Sequence, residues 1–434
     1  MRSTDTIFAL STGRLPSGIA IVRMSGPGVR TALEVLAGAV PRPRVARYGP
    51  LSFRGELLDH GLSLFFPGPT SVTGEDCGEF HVHGSVAVVK GLIAALSSLD
   101  GFRLAEPGEF SRRGFLNGRM DLTAVESLSD LIAAETDQQR KLALAGMGGK
   151  LRDTFLEWRA ELQSLRARIE AELDFSDQDD VSPDLNAAIG REINSLTMRI
   201  NQFVGRLGQA ELVRDGYRVA ILGAPNAGKS SLLNALAMRD VAIVSDEAGT
   251  TRDLVEVVLE VDGFKVILTD TAGIRETEGV VEAIGIERAL GAARLADLVI
   301  LLEDVTNPVP ITVKPSGALL RVGAKSDLAG SGPGSYDMLV SSLTGEGIAE
   351  LLSRVAAQVR LAVSDGDGLL ALRERHVGHL SRARTALQQA SRADLPELVA
   401  EELRIAAVEV GRIVGIGDTE DLLGEIFSRF CIGK

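Results

Sequence analysis

The sequence predicts a multidomain α/β protein: an N-terminal α+β domain, followed by an all-α helical domain that is discontinuous because a second α/β domain is inserted into it. Short apolar runs separated by Gly and Pro fill residues 1–117. Helical periodicity marks residues 118–212 and 363–434, and strands alternate with helices in residues 213–362. Such alternation is typical of a mostly parallel sheet covered by helices.

The composition indicates a core-forming protein of a reducing compartment. Of 434 residues, 45% are apolar and 24% charged, and the apolar runs are too short to span a bilayer. Cys77 and Cys431 are the two cysteines, which excludes a disulfide-dense scaffold and predicts a cytoplasmic protein with no membrane partner. Because the net charge is −13, any contact with RNA requires a local basic patch or a basic partner.

Two helices are predicted from the spacing of apolar residues. Six residues recur at intervals of four and three and predict one buried helix face: Leu151, Phe155, Trp158, Leu162, Leu165 and Ile169. Near the C-terminus, Val408, Ile413 and Val414 are expected to supply the apolar side of another helix. Helical segments on both sides of an α/β domain predict an insertion, which is tolerated because domain termini often lie close together.

A phosphate-binding loop opens the inserted domain. The run Tyr217–Leu222 predicts a buried strand, and Gly223–Ser230 then matches G-x-x-x-x-G-K-[ST] at the start of a helix. Backbone N–H groups of such a loop close around phosphate oxygens. Lys229 is expected to bind the β and γ phosphates, and the Ser230 hydroxyl to bind Mg²⁺. The predicted GTP-binding residues of this segment are Asn226, Ala227, Gly228, Lys229, Ser230 and Ser231. A Ras-like P-loop domain is therefore predicted.

Two further motifs complete the expected triphosphate site. Thr251, in Gly249–Asp253, is the candidate second hydroxyl on Mg²⁺. Asp270 ends the next apolar strand and is expected to hold Mg²⁺ through water, while the Gly273 amide meets the γ phosphate. The predicted GTP-binding set from these segments is Ser245, Asp246, Glu247, Ala248, Gly249, Thr250, Thr251, Asp270, Thr271, Ala272 and Gly273.

The predicted base pocket departs from the usual Asn-Lys-x-Asp pattern. The chain has Ala324, Lys325, Ser326 and Asp327, of which Asp327 accepts hydrogen bonds from guanine N1 and N2. Ala324 cannot bond the base as Asn does. We predict weaker nucleotide affinity with guanine preference retained. Ser341 and Ser342 lie where a backbone amide usually contacts guanine O6.

The expected catalytic arrangement is unusual because Ile274 replaces the water-orienting glutamine of many GTPases. Glu282, in the same segment, is a candidate for orienting the water. Asn226, with loop carbonyls near Ser245 and Glu247, is a candidate for holding a monovalent cation that stabilises developing charge. Arg252 and Arg275 are alternative sources of positive charge.

With these motifs the chain resembles the family of tRNA uridine-5-carboxymethylaminomethyl modification GTPases (MnmE, or TrmE), in the TrmE-Era-EngA-YihA-Septin-like superfamily. Besides the nucleotide motifs, the resemblance rests on the terminal Cys431–Lys434 and on strings in the first domain: Asp5-Thr6-Ile7 with Gly18–Arg23, Thr73–Asp76, and Pro107–Ser111 with Phe115–Leu122. It implies that residues 1–117 form a folate-binding, dimerising domain. Contacts to 5-formyl- or methylene-tetrahydrofolate are implied for Arg23, Glu79, Arg119 and Lys434. Arg119 replaces the Lys often found there, so its geometry differs.

The resemblance also implies ions, partners and a reaction. The implied K⁺ ligands are Asn226, Ser245, Glu247 and Thr250; the implied Mg²⁺ ligands are Ser230 and Thr251; and Glu282 would orient water. A homodimer and a heterotetramer with an FAD- and NADH-dependent partner (MnmG/GidA-like) would modify C5 of the tRNA wobble uridine. Hydrolysis would be stimulated by K⁺ and by dimerisation of the GTPase domains. A regulatory GTPase of ribosome assembly and a non-catalytic scaffold remain as alternatives.

Overall fold

The structure, a computed structural model, divides into two compact units, each assembled from separate segments of the chain. Unit 1 comprises residues 1–129, 152–182 and 389–434, and unit 2 comprises residues 130–151 and 183–388. The described residues are 4–174, 183–238, 255–270, 291–309, 316–328, 335–363, 370–417, 423–424, 426–427, 430 and 433. The domain boundaries expected at residues 117, 212 and 362 stay a prediction.

A six-stranded sheet of order β3-β4-β5-β2-β1-β6 lies at the centre of the N-terminal part of unit 1. Its strands are β1 (Thr6–Leu10), β2 (Ser17–Ser25), β3 (Arg47–Phe53), β4 (Glu56–Phe66), β5 (Cys77–Gly84) and β6 (Phe102–Leu104). β1 and β6 pair in parallel, and the other neighbours pair antiparallel. Helices α1 (Val29–Ala37) and α2 (Val86–Ser97) cover one face, where Val22 and Phe80 pack with Leu33 and Leu92.

Four more helices belong wholly or largely to unit 1. They are α3 (Glu109–Leu116), α4 (Leu122–Ala133), α6 (Lys150–Asp174) and α12 (Pro396–Val414). Phe110 of α3 packs with Ile7 and Ala9 of β1. The start of α4 packs with residues from the end of the chain in one apolar cluster: Leu122, Val125, Leu423, Phe427 and Phe430. This cluster brings the C-terminal residues into the same unit as the N-terminal sheet.

The helix face predicted for α6 is confirmed, because all six of its apolar residues are buried. The face predicted for α12 is partly wrong. Ile413 and Val414 are buried, but Val408 is 37% exposed. Val408 lies one turn after Arg404 and two turns after Glu401, which form a surface ion pair at 2.7 Å. The buried stripe runs instead through Leu403, Ala406, Val410 and Ile413.

Unit 2 contains a second six-stranded sheet, of order β12-β11-β10-β7-β9-β8. Its strands are β7 (Tyr217–Leu222), β8 (Val255–Val261), β9 (Phe264–Asp270), β10 (Leu298–Asp304), β11 (Ala318–Ala324) and β12 (Met338–Val340). β8 and β9 form an antiparallel hairpin across Asp262 and Gly263, as predicted, and the other neighbours are parallel. The chain passes to β9 on one side of β7 and to β10 on the other, so β7 ends at a topological switch point, where α/β sheets bind ligands.

Unit 2 has six helices in its described residues, and they include part of the predicted helical domain. They are α5 (Asp137–Met147), α7 (Pro183–Val204), α8 (Leu207–Asp215), α9 (Lys229–Ala237), α10 (Ile348–Val363) and α11 (Glu374–Ala390). A capping box of Thr136 and Gln139 starts α5. Gln138 donates its backbone N–H to Gly263 O, at the turn of the β8–β9 hairpin. Among the helices within the described ranges, none combines the length and the apolar character needed to cross a bilayer.

Candidate functional site

The phosphate loop joins β7 to α9 in the conformation that its glycines permit. A Cβ on Gly223 would lie 2.3 Å from Leu302 O on β10, so only glycine fits there. Asn226 has φ 64° and Gly228 has φ 97°, both left-handed, and glycine and asparagine adopt this region most readily. Ala227 is buried beneath the loop. The loop therefore leads the chain directly into the N-terminus of α9, where backbone N–H groups bind anions.

Lys229 is the first residue of α9 and is buried, with 7% of its surface exposed. Its Nζ donates to Gly223 O at 2.9 Å and to Ala224 O at 2.8 Å. Burial lowers the pKa of Lys229, and the nearby Asp270 carboxylate only partly opposes this. A desolvated ammonium group that is bonded to two carbonyls gains strongly when an anion approaches, because it lacks the competing solvation of a surface lysine.

Ser230, at the amino end of α9, meets Asp270, at the carboxyl end of β9. Asp270 ends β9, pairs in register with Ile221 of β7, and is 2% exposed. Ser230 Oγ donates to Asp270 Oδ2 at 3.0 Å. A hydroxyl and a carboxylate are hard oxygen donors of the kind that Mg²⁺ prefers, so these two groups fit that ion. Ser231, the next residue, is exposed.

The predicted base-pocket residues lie at the carboxyl ends of two neighbouring strands, β11 and β12, and polar partners hold them. Ser341 Oγ donates to Asp327 Oδ1 at 2.6 Å, and Ser342 is half-buried beside it. Lys325, at a left-handed φ of 61°, donates from Nζ to Asp304 Oδ2 at 2.5 Å. The structure thus places Lys325, Asp327 and Ser341 in one local constellation.

Asp304, at the end of β10, is a residue that the sequence reasoning missed. Burial raises its pKa, but hydrogen bonds from Lys325 and Thr306 outweigh that effect and hold the pKa at about 2. Asp304 pairs in register with Ala324, so the parallel neighbour strands bring this carboxylate next to Lys325. The sequence signal that could have identified Asp304 is an acidic residue just after a predicted strand, near the predicted base pocket.

Replacing Ala324 by asparagine is expected to tighten GTP binding about two- to tenfold, because one net hydrogen bond contributes roughly 0.5–1.5 kcal/mol. Ala324 is 4% exposed, and its Cβ lies 3.9 Å from where a Cβ on Gly228 would stand, so the new amide would face the phosphate loop. Titration with a fluorescent guanine nucleotide measures the change. Ala324→Val, which adds volume without an amide, is the control and should not tighten binding. Unchanged GTP affinity in Ala324→Asn would contradict the role assigned to position 324.

Several predicted site residues lie outside the described residues. In the nucleotide site they are Ser245, Asp246, Glu247, Ala248, Gly249, Thr250, Thr251, Thr271, Ala272, Gly273 and Glu282. Lys434, of the predicted folate site, and Cys431 are outside them as well. Their roles stay predictions.

In unit 1, Arg23 and Glu79 are direct partners across β2 and β5. Arg23 Nε donates to Glu79 Oε1 at 3.0 Å, and His81 Nε2 lies 2.9 Å from the other oxygen, Oε2. All three side chains are half-buried. The carboxylate is therefore held at both oxygens on the sheet face opposite the core that α1 and α2 cover. The contact with His81 was not foreseen from the sequence.

Arg119 contacts the loop between β4 and β5, and Gly433 approaches the end of β1. Arg119 is exposed, and its Nε donates to Ser71 O at 3.1 Å, so the longer guanidinium is accommodated at this position. Ser11 Oγ donates to Gly433 O at 2.9 Å. A Cβ on Gly433 would lie 2.3 Å from Leu10 O, which shows how closely the C-terminal segment approaches the end of β1.

A buried ion network around Arg113 supports this region and was not predicted. Arg113, on α3, lies 2.8 Å from Asp5 Oδ1, 2.9 Å from Glu75 Oε2 and 3.4 Å from Glu109 Oε1. Arg103 pairs with both Asp5 and Glu109. Burial raises the pKa of Glu109, but the two arginines outweigh it and hold the pKa below its ordinary value. The network joins three parts of unit 1: Asp5 before β1, Glu75 in the loop before β5, and Glu109 of α3.

Comparison with known proteins identifies the family. Residues 6–119 match the family model described as GTP-binding protein TrmE N-terminus, and residues 122–431 match that of the MnmE helical domain. The tRNA modification GTPase MnmE of Brucella melitensis biotype 1 is 49% identical over 436 residues, covering 99% of this chain and 98% of that protein. The chain belongs to the MnmE family. MnmE of Brucella anthropi is likewise 49% identical, over 434 residues with the same coverage.

Membership of the MnmE family confirms the predicted family and enzyme class, a GTP hydrolase of tRNA modification. It also confirms the predicted fold class, with a TrmE-type N-terminal domain, helical segments and an α/β nucleotide-binding sheet. The structure of Era from Aquifex aeolicus bound to GDP and AlF₄⁻ superposes on 41% of this chain and 69% of that one, at 25% identity. Its TM-score of 0.27 is too low to bear on fold or function.

Proposed function

We propose that this chain couples GTP hydrolysis to modification of the wobble uridine of tRNA, adding a carboxymethylaminomethyl or aminomethyl group at C5. The observation that carries the proposal is the likeness to tRNA modification GTPases over 99% of the chain. The domains proposed are a folate-binding and dimerisation domain at 1–117, a helical domain at 118–212 and 363–434, and a GTPase domain at 213–362.

In the proposed nucleotide site, the chain's own groups bind and orient the triphosphate. Lys229, already desolvated and pointing along the phosphate loop, binds the β and γ phosphates. Ser230 and Asp270, together with Thr251, would hold Mg²⁺, which supplies charge neutralisation during phosphoryl transfer. Asp327 and Lys325 bind guanine, and Ser341 holds the Asp327 carboxylate in position.

Hydrolysis is proposed to depend on Glu282 and on a cation pocket, since Ile274 has no polar atom to orient water. Glu282 orients the attacking water. Asn226, Ser245, Glu247 and Thr250 would hold K⁺, whose charge stabilises the transition state in place of an arginine finger. Asn226 suits this role because the left-handed backbone leaves it exposed at the phosphate loop. Closing two GTPase domains on each other is proposed to complete the pocket.

The N-terminal domain is proposed to bind 5-formyl- or methylene-tetrahydrofolate through Arg23, Glu79, Arg119 and Lys434. The support is the fixed Arg23–Glu79 pair, which offers a charged donor and an acceptor side by side, and the approach of Gly433 to the same sheet. Folate would supply the one-carbon unit. A homodimer, a heterotetramer with an FAD- and NADH-dependent partner (MnmG/GidA-like) and a cytoplasmic location complete the proposal.

The proposal predicts a specific loss in cells that lack this chain. Mass spectrometry of their tRNA should show unmodified wobble uridine in place of the aminomethyl-type derivatives, because the one-carbon unit is no longer transferred. Expression of the intact chain should restore the modification, and the Lys229→Ala variant should not. A wobble-uridine profile that is unchanged by the deletion would contradict the proposal and favour a regulatory GTPase of ribosome assembly.

A further inference from the structure

A strongly basic segment stands out in this acidic protein. Residues 41–55 contain four arginines and no Asp or Glu, whereas the whole chain has a net charge of −13. The arginines are Arg42, Arg44, Arg47 and Arg54, and all four are exposed. β3, which lies inside this segment, is the outer strand of the first sheet. We call these four arginines together with Tyr48 the basic edge.

The backbone at two of these arginines is one that arginine does not favour. Arg44 has φ 61° and Arg54 has φ 53°, both in the left-handed region, which is disfavoured for residues other than Gly, Asn and Asp. Arg54 and Gly55 form the two-residue turn between β3 and β4, since Phe53 pairs directly with Glu56. Such turns prefer Asn-Gly or Asp-Gly.

The same chain provides an internal comparison for this turn. The β8–β9 hairpin turns through Asp262 and Gly263, with φ 55° and 79°, beside 53° and 84° for Arg54 and Gly55. The two turns have nearly the same backbone, yet only the second has the residue that the backbone favours. The turn itself therefore does not account for Arg54. Its guanidinium lies over the Phe53 ring, 5.1 Å from the centroid, and this contact leaves the positive charge exposed to solvent.

Protection of an open sheet edge does not explain the basic edge either. Charged side chains on an outer strand prevent pairing with other chains. However, Arg42, Arg44 and Arg54 lie outside β3, which ends at Phe53. Tyr48, on β3, is 70% exposed, with its ring 6.5 Å from that of His60. An exposed aromatic side chain works against such protection, whereas it suits stacking with a nucleotide base.

We propose that the basic edge binds the tRNA substrate. This inference rests on the proposed function and assigns the RNA contact to unit 1. The seven residues of β3 span roughly 20 Å at 3.3 Å per residue, so the charges form a stripe long enough to meet several phosphates. Arg42 and Arg54 contact phosphates, and Tyr48 stacks on an unpaired base. Arg44 and Arg47 also bond Thr70 O and Ala37 O within the unit, so they serve the fold as well.

The test measures binding of an unmodified tRNA transcript with a wobble uridine to the full chain over a series of KCl concentrations. Arg42→Ser and Arg54→Asn should each lower the slope of log affinity against log salt by roughly 0.7–0.9, the value for one lost phosphate contact. Arg54→Asn should also raise the Tm of the full chain, followed by the fluorescence of Trp158 in unit 1, by about 1–3 °C, because asparagine favours the left-handed turn. A purely structural arginine would not give weaker RNA binding together with higher stability.

Arg354→Ser is the matched control, because it removes one arginine of α10 whose side chain is 41% exposed and pairs with Glu350, and it changes the net charge equally. Its salt slope should equal that of the wild type, and GTP turnover should be unchanged in all three variants. Any of three results would overturn the proposal. They are a wild-type salt slope in Arg42→Ser and Arg54→Asn, an equal decrease of the slope in Arg354→Ser, and no RNA binding by the intact chain. The wobble-uridine profile of deletion cells tests the proposed function separately and does not depend on where the RNA binds.

Discussion

Replacing Asn226 is expected to slow GTP hydrolysis by about 10²–10³-fold and to abolish its preference for potassium, because the loop loses the side-chain oxygen that would hold the cation beside the phosphates. Turnover is measured in KCl and in NaCl. Asn226 has φ 64°, so alanine would also strain the backbone. Asn226→Gly removes the oxygen without that strain. If the lost oxygen is the cause, GTP hydrolysis should slow equally in Asn226→Ala and Asn226→Gly.

The nucleotide affinity of Asn226→Gly serves as the control for this experiment. Lys229 and Ser230 lie on the helix that follows and keep their contacts, so GDP binding should be close to that of the wild type. If either variant hydrolysed GTP rapidly and equally in sodium and potassium, the cation mechanism would be wrong. If Asn226→Ala lost nucleotide binding as much as hydrolysis, and Asn226→Gly lost neither, a strained loop would be the cause instead.

Replacing Arg113 by alanine is expected to destabilise unit 1 by about 3–5 kcal/mol, the usual cost of removing one partner from a buried ion pair. Arg113 is 6% exposed and lies next to three carboxylates, those of Asp5, Glu75 and Glu109. Without it, Glu109 stays buried with Arg103 as its remaining cationic partner in the network. Denaturant unfolding of the full chain, followed by the fluorescence of Trp158 in unit 1, measures the loss.

Arg112 provides a neighbouring control on the same helix, because it is exposed and Arg112→Ala should change stability by less than about 0.5 kcal/mol. The pH dependence provides a second readout. The pKa of Glu109 is held below its ordinary value, so its stabilising effect is present above that value and is lost as the pH falls through the lowered pKa. The decrease in the free energy of unfolding as the pH falls should be smaller in Arg113→Ala than in the wild type. Equal stability of the two variants would show that the network contributes nothing.

Local patterns were predicted well because they depend on contiguous residues. The phosphate loop was recognised from Gly223–Ser230, since its backbone conformation requires glycine at fixed positions and phosphate binding requires a lysine at the start of the helix. The α6 face followed from helical periodicity, and the β8–β9 hairpin from its Asp-Gly turn. The α12 face was assigned less well, because one apolar residue on a helix does not reveal which side is buried.

The sequence by itself therefore determined the nucleotide motifs, their order and the family, because each depends on residue types at short, fixed spacing. Only the tertiary structure decided which distant groups meet: Asp304 with Lys325, His81 with Glu79, and Arg113 with three carboxylates. Only the structure showed that Arg54 and Asp262 occupy the same kind of turn. The reason is that strand register and packing set these contacts, and neither is encoded in the spacing of residues along the chain.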